Sequence, residues 1–169
     1  MLRLILLVAA VLGLATPALA AQPSLFDDMF KKPAFSKASL NVGVPRKIDG
    51  PIQITVDLTT QEMDVVADGR TLYTFDVSTG RKGYTTPTGN YKPIRMHKMW
   101  YSSKYENSPM PHSIFFHGGY AIHGTGDIKH LGQVASHGCV RLHPENAEKL
   151  YNLVKQVGMN NTKISLIRS

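Results

Sequence analysis

Between Pro51 and Ser78 the side chains alternate in character one by one, and this period of two limits what the chain can build. Ile52, Ile54, Val56 and Leu58 are apolar, while Gln53, Thr55, Asp57 and Thr59 between them are polar. Successive side chains of a strand point to opposite faces, so the run predicts a strand with one face buried. Glu62 to Ala67 predicts a second strand. It ends at Asp68-Gly69, a pair suited to the positive φ angles of a two-residue hairpin. Tyr73, Phe75 and Val77 then alternate with Thr74, Asp76 and Ser78. Strands so close in sequence, joined by short turns, predict an antiparallel meander.

Gly80, Gly83 and the run Thr86-Pro87-Thr88-Gly89 supply the next turns. Lys92 to Ser113 is rich in Met, Trp, Tyr and Pro, and its pattern fits either a long ordered loop or broken strands. Ile114 to Phe116 and Tyr120 to Ile122 predict a hairpin around Gly118-Gly119. A helix is expected to start at His143-Pro144-Glu145, since proline suits its first position and Glu145 its positive end. Ala147, Leu150, Tyr151 and Val154 recur at helical spacing and Gly158 stops the helix. Lys163 to Ile167 predicts a closing strand. The sum is a mainly β domain, a sandwich or partial barrel, with one principal α-helix near the C-terminus.

The N-terminal segment reads differently. Met1 to Ala20 has one cation, Arg3, an apolar run from Leu4 to Ala15, then Pro17 and Ala18-Leu19-Ala20. This is the pattern of a secretory signal peptide cleaved after Ala20, and its apolar run falls short of the roughly 20 residues a membrane span needs. No stable span is expected after cleavage. Residues 21–48 hold Pro23, Pro33, Pro45 and Lys31-Lys32 without a sustained period, which predicts a linker or arm ahead of a domain at 49–169. The mature chain is expected outside the cytoplasm: secreted, periplasmic or cell-wall associated. Its net charge of +7 favours anionic partners. Lys and Arg are scattered and form no basic helix, so nucleic acid is not expected; an anionic wall polymer or membrane surface fits an exported protein better.

Cys139 is the only cysteine, so no intramolecular disulfide can form. A lone thiol in an oxidising compartment is either buried and inert or has work to do. Its neighbours favour work. The segment His123 to Arg141 holds three histidines, of which His123 and His137 are the two candidate bases for the thiol. A thiol needs such a base, because the thiolate is the nucleophile and an adjacent imidazolium lowers its pKa. His137 is two residues from Cys139, whereas His123 ends a predicted strand beside the flexible Gly124. Gly138 admits close approach to the backbone, so the amides of His137, Gly138 and Cys139 are candidates for an oxyanion hole. Asp127 is the only carboxylate in the segment available to orient a base, and a backbone carbonyl such as that of Gly124 could do the same. Arg141 suits a substrate carboxylate or a structural clamp on carbonyls. His97, His112, His117, His130 and His143 are expected at surface or structural positions, with His112 and His117 as candidates to line a groove. Tyr91, Trp100 and Tyr101 fit core packing better than a lid.

His123-Gly124-Thr125, followed after a loop by Ser136-His137-Gly138-Cys139-Val140-Arg141, closely resembles the signature of L,D-transpeptidase catalytic domains with the YkuD-like fold. Thr86-Pro87-Thr88-Gly89 resembles the family's Thr-Pro-x-Gly turn. Met110-Pro111 and Gly119 to Thr125 are similar in the same way. The resemblance runs from about Pro51 to Ser169. It implies a cysteine enzyme acting on peptidoglycan stem peptides. Cys139 is then the nucleophile and His123 the general base, with His137 and Gly138 in the oxyanion region. Ser136, Gly124, Thr125 and Arg141 are implied substrate contacts. The family cysteine attacks the bond after the third stem residue and releases the terminal D-alanine. The acyl group then passes to a second stem, giving a 3→3 cross-link, or to a wall-attached protein or to water. Carbapenems commonly acylate this cysteine. Many members add a wall-binding repeat or a further domain before the catalytic one; with only the short arm, wall recognition is expected to rest on the catalytic domain and its charge. No cofactor or metal is implied. A zinc site built from His123, His137 and Cys139 is the first rival, weakened by the absence of a His-Glu-x-x-His run. A non-catalytic wall-binding module is the second, weakened by the presence of both Cys139 and His123.

Overall fold

The computed structural model describes Ile48 and residues 50–169. The expected signal peptide and nearly all of the expected arm therefore lie outside the described residues. Ile48, placed in the arm from sequence, is buried, and its carbonyl accepts a hydrogen bond from Gln156 Nε2 at 3.2 Å.

The predicted meander forms as read. Strands β1 (Ile52–Asp57), β2 (Glu62–Ala67) and β3 (Arg70–Asp76) pair antiparallel in sequence order. Asp68 and Gly69 turn the second hairpin with φ of 50° and 71°, the left-handed values such a turn requires. Ile52, Ile54 and Val56 are buried while the residues between them are half-exposed. Each such side chain stabilises the fold by about 1.5–3 kcal/mol relative to an exposed one. Strands β4 (Gly89–Tyr91) and β9 (Thr162–Ile167) complete a five-stranded sheet ordered β3-β2-β1-β9-β4, in which β9 runs parallel to β1.

A second sheet has the order β5-β6-β7-β8, with β5 (Arg95–Ser102), β6 (Ser108–His117), β7 (Tyr120–Gly124) and β8 (Val140–Leu142). The segment left open from sequence is thus a long hairpin. Pro109 and Pro111 disguised it. That half of β6 pairs with β5 alone, since β7 meets only Ile114 to His117, and a residue without an N–H is tolerated where one side of the strand is open. Helix α1 (Pro144–Val157) starts and stops where expected, with His143 before it and Gly158 after it. Its Leu150 and Val154 join one apolar core with Ile54 and Val56 of the first sheet and Ile122 and Val140 of the second. The expected β-sandwich with one principal helix is the fold observed. No helix among the described residues is long and apolar enough to cross a membrane.

Two features of this topology position the residues around Cys139. Strands β7 and β8 are parallel neighbours, with Ile122 opposite Val140 and His123 opposite Arg141. The chain leaving β3 then pins the other side of the loop. Ser78 and Arg141 exchange backbone hydrogen bonds of 3.0 and 2.9 Å, and Ser136 N donates to Thr79 O at 2.8 Å.

Candidate active site

Cys139 sits just before β8 and His123 on the adjacent β7, so parallel pairing brings the thiol and the imidazole to the wall of one cleft of about 470 Å³. Cys139 is half-buried, and its Sγ approaches the carbonyl of Gly119 at 3.9 Å. His123 is 7% exposed, and its Nδ1 lies 2.8 Å from Gly124 O. A carbonyl only accepts, so Nδ1 carries the proton and Nε2 keeps its lone pair free to act as a base. The backbone carbonyl, one of the two orienting groups considered from sequence, holds the ring. Asp127, the other, points elsewhere: both its oxygens accept from His130 Nδ1 at 2.8 Å, and Arg141 Nη1 is 3.6 Å away.

The electrostatics reverse one expectation. Burial pushes the His123 pKa down to about 4, and nearby Arg141 pushes it the same way against the Gly124 hydrogen bond. Burial also pushes the Cys139 thiol up, outweighing the Ala121 backbone hydrogen bond and Arg141. Each group is therefore held in its neutral form, because desolvation penalises charge. A standing imidazolium that depresses the thiol pKa is not what this site provides. It provides a neutral imidazole and a neutral thiol on the wall of one cleft.

His137 occupies the rim. Its ring stacks on Tyr105 and meets Tyr84 edge-on, with both centroids 4.5 Å away. Arg81 Nη2 lies 2.7 Å from His137 Nε2. Arginine only donates, so that nitrogen is an acceptor and the ring is neutral. Desolvation first, then Arg81, lowers its pKa in agreement. His137 thus has its Nε2 engaged by Arg81, and of the two candidate histidines His123 is the one whose Nε2 has no partner among the described residues.

Residues 51–164 match the family described as YkuD, the L,D-transpeptidase catalytic domain. The chain belongs to this family. It is similar to YkuD of Bacillus subtilis, a protein carrying the L,D-transpeptidase name, at 24% identity over 132 residues, 75% of this chain and 72% of the relative. It is also similar to the crystal structure of an L,D-transpeptidase from Stackebrandtia nassauensis, with 29% identity and a TM-score of 0.61, covering 78% of this chain and 61% of that one. An L,D-transpeptidase from Xylanimonas cellulosilytica gives 30% identity and a TM-score of 0.60, covering 73% and 63%. The chain thus spans less than two thirds of these solved chains.

Within this L,D-transpeptidase domain, several expected site residues have other duties. The Gly138 amide donates to Ser136 Oγ at 3.0 Å, so it is no free oxyanion donor. The amides of His137 and Cys139 have no acceptor among the described hydrogen bonds and remain the two candidates. Ser136 is fully buried and its hydroxyl donates to Cys139 O at 2.6 Å, so it braces the nucleophile loop and does not face a substrate. Gly124 is also buried and acts through its carbonyl; a Cβ there would lie 3.2 Å from Pro144 Cα. Thr125 and Arg141 do line the cleft. His112 and His117 do not: His112 packs on Tyr151, and His117 on Tyr91 and Tyr120. Trp100 lines the cleft, whereas Tyr91 packs on Phe116. Among the described residues no group of His, Cys, Asp or Glu is arranged to hold a metal ion.

Sequence reasoning passed over Thr86, Arg81 and Tyr105. Thr86, 2% exposed, accepts from Gly80 N at 2.8 Å and donates to Gly138 O at 2.9 Å. The Thr-Pro-x-Gly turn was the signal that could have led to it. Nothing local marks Tyr105, which reaches the rim only because the β5–β6 hairpin folds over the cleft.

Proposed function

We propose that this L,D-transpeptidase domain is an exported cysteine acyltransferase that works on peptidoglycan stem peptides. Cys139 Sγ attacks the carbonyl carbon of the third stem residue, in the bond to the terminal D-alanine, as its proton passes to His123 Nε2. The resulting oxyanion is met by the amides of His137 and Cys139, and preorganised donors of this kind are worth about 3–4 kcal/mol each in the transition state. His123 then gives the proton to the departing D-alanine amine, leaving a thioester. A second stem's amine loses a proton to the same nitrogen and attacks the thioester, which yields the 3→3 cross-link and regenerates the thiol. Water in its place gives carboxypeptidase trimming, and a protein amine gives attachment to the wall.

The observation that supports this reading most is the meeting of a tautomer-fixed imidazole and the single thiol in one cleft, from distant points in the chain. The test is incubation of the purified domain with a disaccharide-tetrapeptide. D-alanine release and a cross-linked dimer are expected, and the Cys139→Ala protein should give neither. Activity that survives this substitution rules out the mechanism, and product mass identifies the acceptor.

A further inference from the structure

The cleft is lined by three cationic side chains, Arg95, Lys104 and Arg141, and by one carboxylate, Asp127. That carboxylate is already engaged by His130 and Arg141. Arg95 has no carboxylate partner among the described residues. Its guanidinium lies 3.8 Å from the Phe115 ring centroid and 5.7 Å from that of Trp100. Cation–π contact of this kind restrains the group while leaving N–H donors unspent. Among the described residues its one hydrogen bond is from Nη1 to Gly118 O at 3.5 Å, the long limit for such a bond. Gly118 adjoins Gly119, whose carbonyl is the one that Cys139 Sγ approaches. A two-pronged donor that is underused among the described residues therefore lines the same cleft as Cys139. Lys104 sits on the β5–β6 turn and offers only a point charge on a flexible stem.

We infer that Arg95 is a specificity-determining residue that binds a free carboxylate of the stem peptide and discriminates against the corresponding carboxamide. The inference rests on the stem-peptide reading above. A carboxylate accepts two parallel N–H bonds from a guanidinium and carries the complementary charge. Amidation removes the charge and turns one acceptor into a donor that faces another donor. Charge-assisted hydrogen bonds are about twice as strong as neutral ones, so a preference of about tenfold or more is expected.

The test uses two disaccharide-tetrapeptides that differ only in whether the stem carboxylates are free or amidated. D-alanine release from the two tetrapeptides with their third-residue amine acetylated, so that they serve only as donors to one common tripeptide acceptor, reads the donor stem. Dimer formation from a common donor with free or amidated tripeptide acceptors reads the acceptor stem. Wild type should favour the free carboxylate at least tenfold in kcat/KM in one of the two arms, and that arm names the stem that Arg95 holds. Arg95→Gln should bring the two substrates within about twofold in that arm, and Arg95→Lys should keep part of the preference. Alkylation of Cys139 by neutral iodoacetamide at an unchanged rate shows that the variants remain folded at the site. Equal rates for both substrates in wild type, or a preference that survives Arg95→Gln, overturns the inference while leaving the proposed function standing. If wild type turns over neither substrate, the function itself fails. Binding of the two tetrapeptides to Cys139→Ala then still decides the role of Arg95: tighter binding of the free form, lost with Arg95→Gln, upholds it, and equal binding overturns it.

Discussion

Thr86→Val should damage the site without touching any group that meets substrate. Valine keeps the shape of threonine and removes the hydroxyl. That hydroxyl is 2% exposed at the residue level and joins Gly80 N, at 2.8 Å, to Gly138 O, at 2.9 Å. A buried polar group left without a partner costs about 1–3 kcal/mol. The Gly138 carbonyl is buried and should bear most of such a penalty, whereas Gly80 is half-exposed and can recover part of its loss from water. The expected destabilisation is therefore about 2–4 kcal/mol. Thr86→Ser keeps both bonds and loses one methyl group, so it should cost only about 1 kcal/mol. Activity should fall further than stability implies. The Gly138 carbonyl belongs to the residue before the nucleophile, and a 1 Å displacement of a reacting group can cost about 100-fold in rate. Equilibrium urea unfolding of both variants, with D-alanine release measured where each is fully folded, checks the argument. A valine variant within about 0.5 kcal/mol of wild type, at near-normal rate, would refute the claim that Thr86 holds this loop.

The paired neutral forms make a kinetic prediction. Because burial raises the Cys139 pKa, iodoacetamide labelling should stay slow through neutral pH and rise only above about pH 9, the ordinary thiol range or beyond. A fast plateau between pH 5 and 7 would instead reveal a standing ion pair. Folding linkage gives a second test. The His123 pKa falls to about 4 on folding, so the unfolded state binds more protons between roughly pH 6.5 and 4. The stability of the fold is undiminished by this group above pH 6.5 and falls by about 3 kcal/mol as pH drops through 4, at 1.36 kcal/mol per unit. His123→Gln should lose that much less than wild type between pH 7 and 4, and parallel curves would contradict the assignment. Gly138→Ala should destabilise by about 1–3 kcal/mol and reduce turnover at least tenfold. Gly138 has φ of 107°, and a Cβ there would lie 2.7 Å from Tyr120 Cε1. An alanine enzyme with normal turnover would show that this conformation is not required.

Much of the fold was legible because its signals are local. Alternation placed the three strands of the meander, Asp68-Gly69 placed a turn, and Pro144 and Gly158 bounded the helix to the residue. The β5–β6 hairpin was not legible, because its prolines argue against a strand wherever both sides of that strand are assumed to be paired. The site was legible in part. Cys139 stood out as the single thiol, and the family resemblance pointed to His123, which lines the same cleft, as its proposed base. The burial of Ser136, the occupied Gly138 amide and the engaged Nε2 of His137 were not, since each depends on which atoms from elsewhere in the chain lie within hydrogen-bond reach.

The sequence alone thus determined a mainly β domain with one helix, and singled out the thiol proposed as nucleophile with a short list of candidate bases. Those properties follow from side-chain period, turn chemistry and residue type, which act over a few positions. The tertiary structure decided which histidine is free to take a proton and in which protonation state the pair rests. It also decided which backbone amides remain as candidates for an oxyanion and that Arg95 has no carboxylate partner among the described residues. Parallel pairing of β7 with β8 sets His123 beside the nucleophile strand. Burial there, a property of the packed interior and of no residue by itself, removes the charge from both members of the pair.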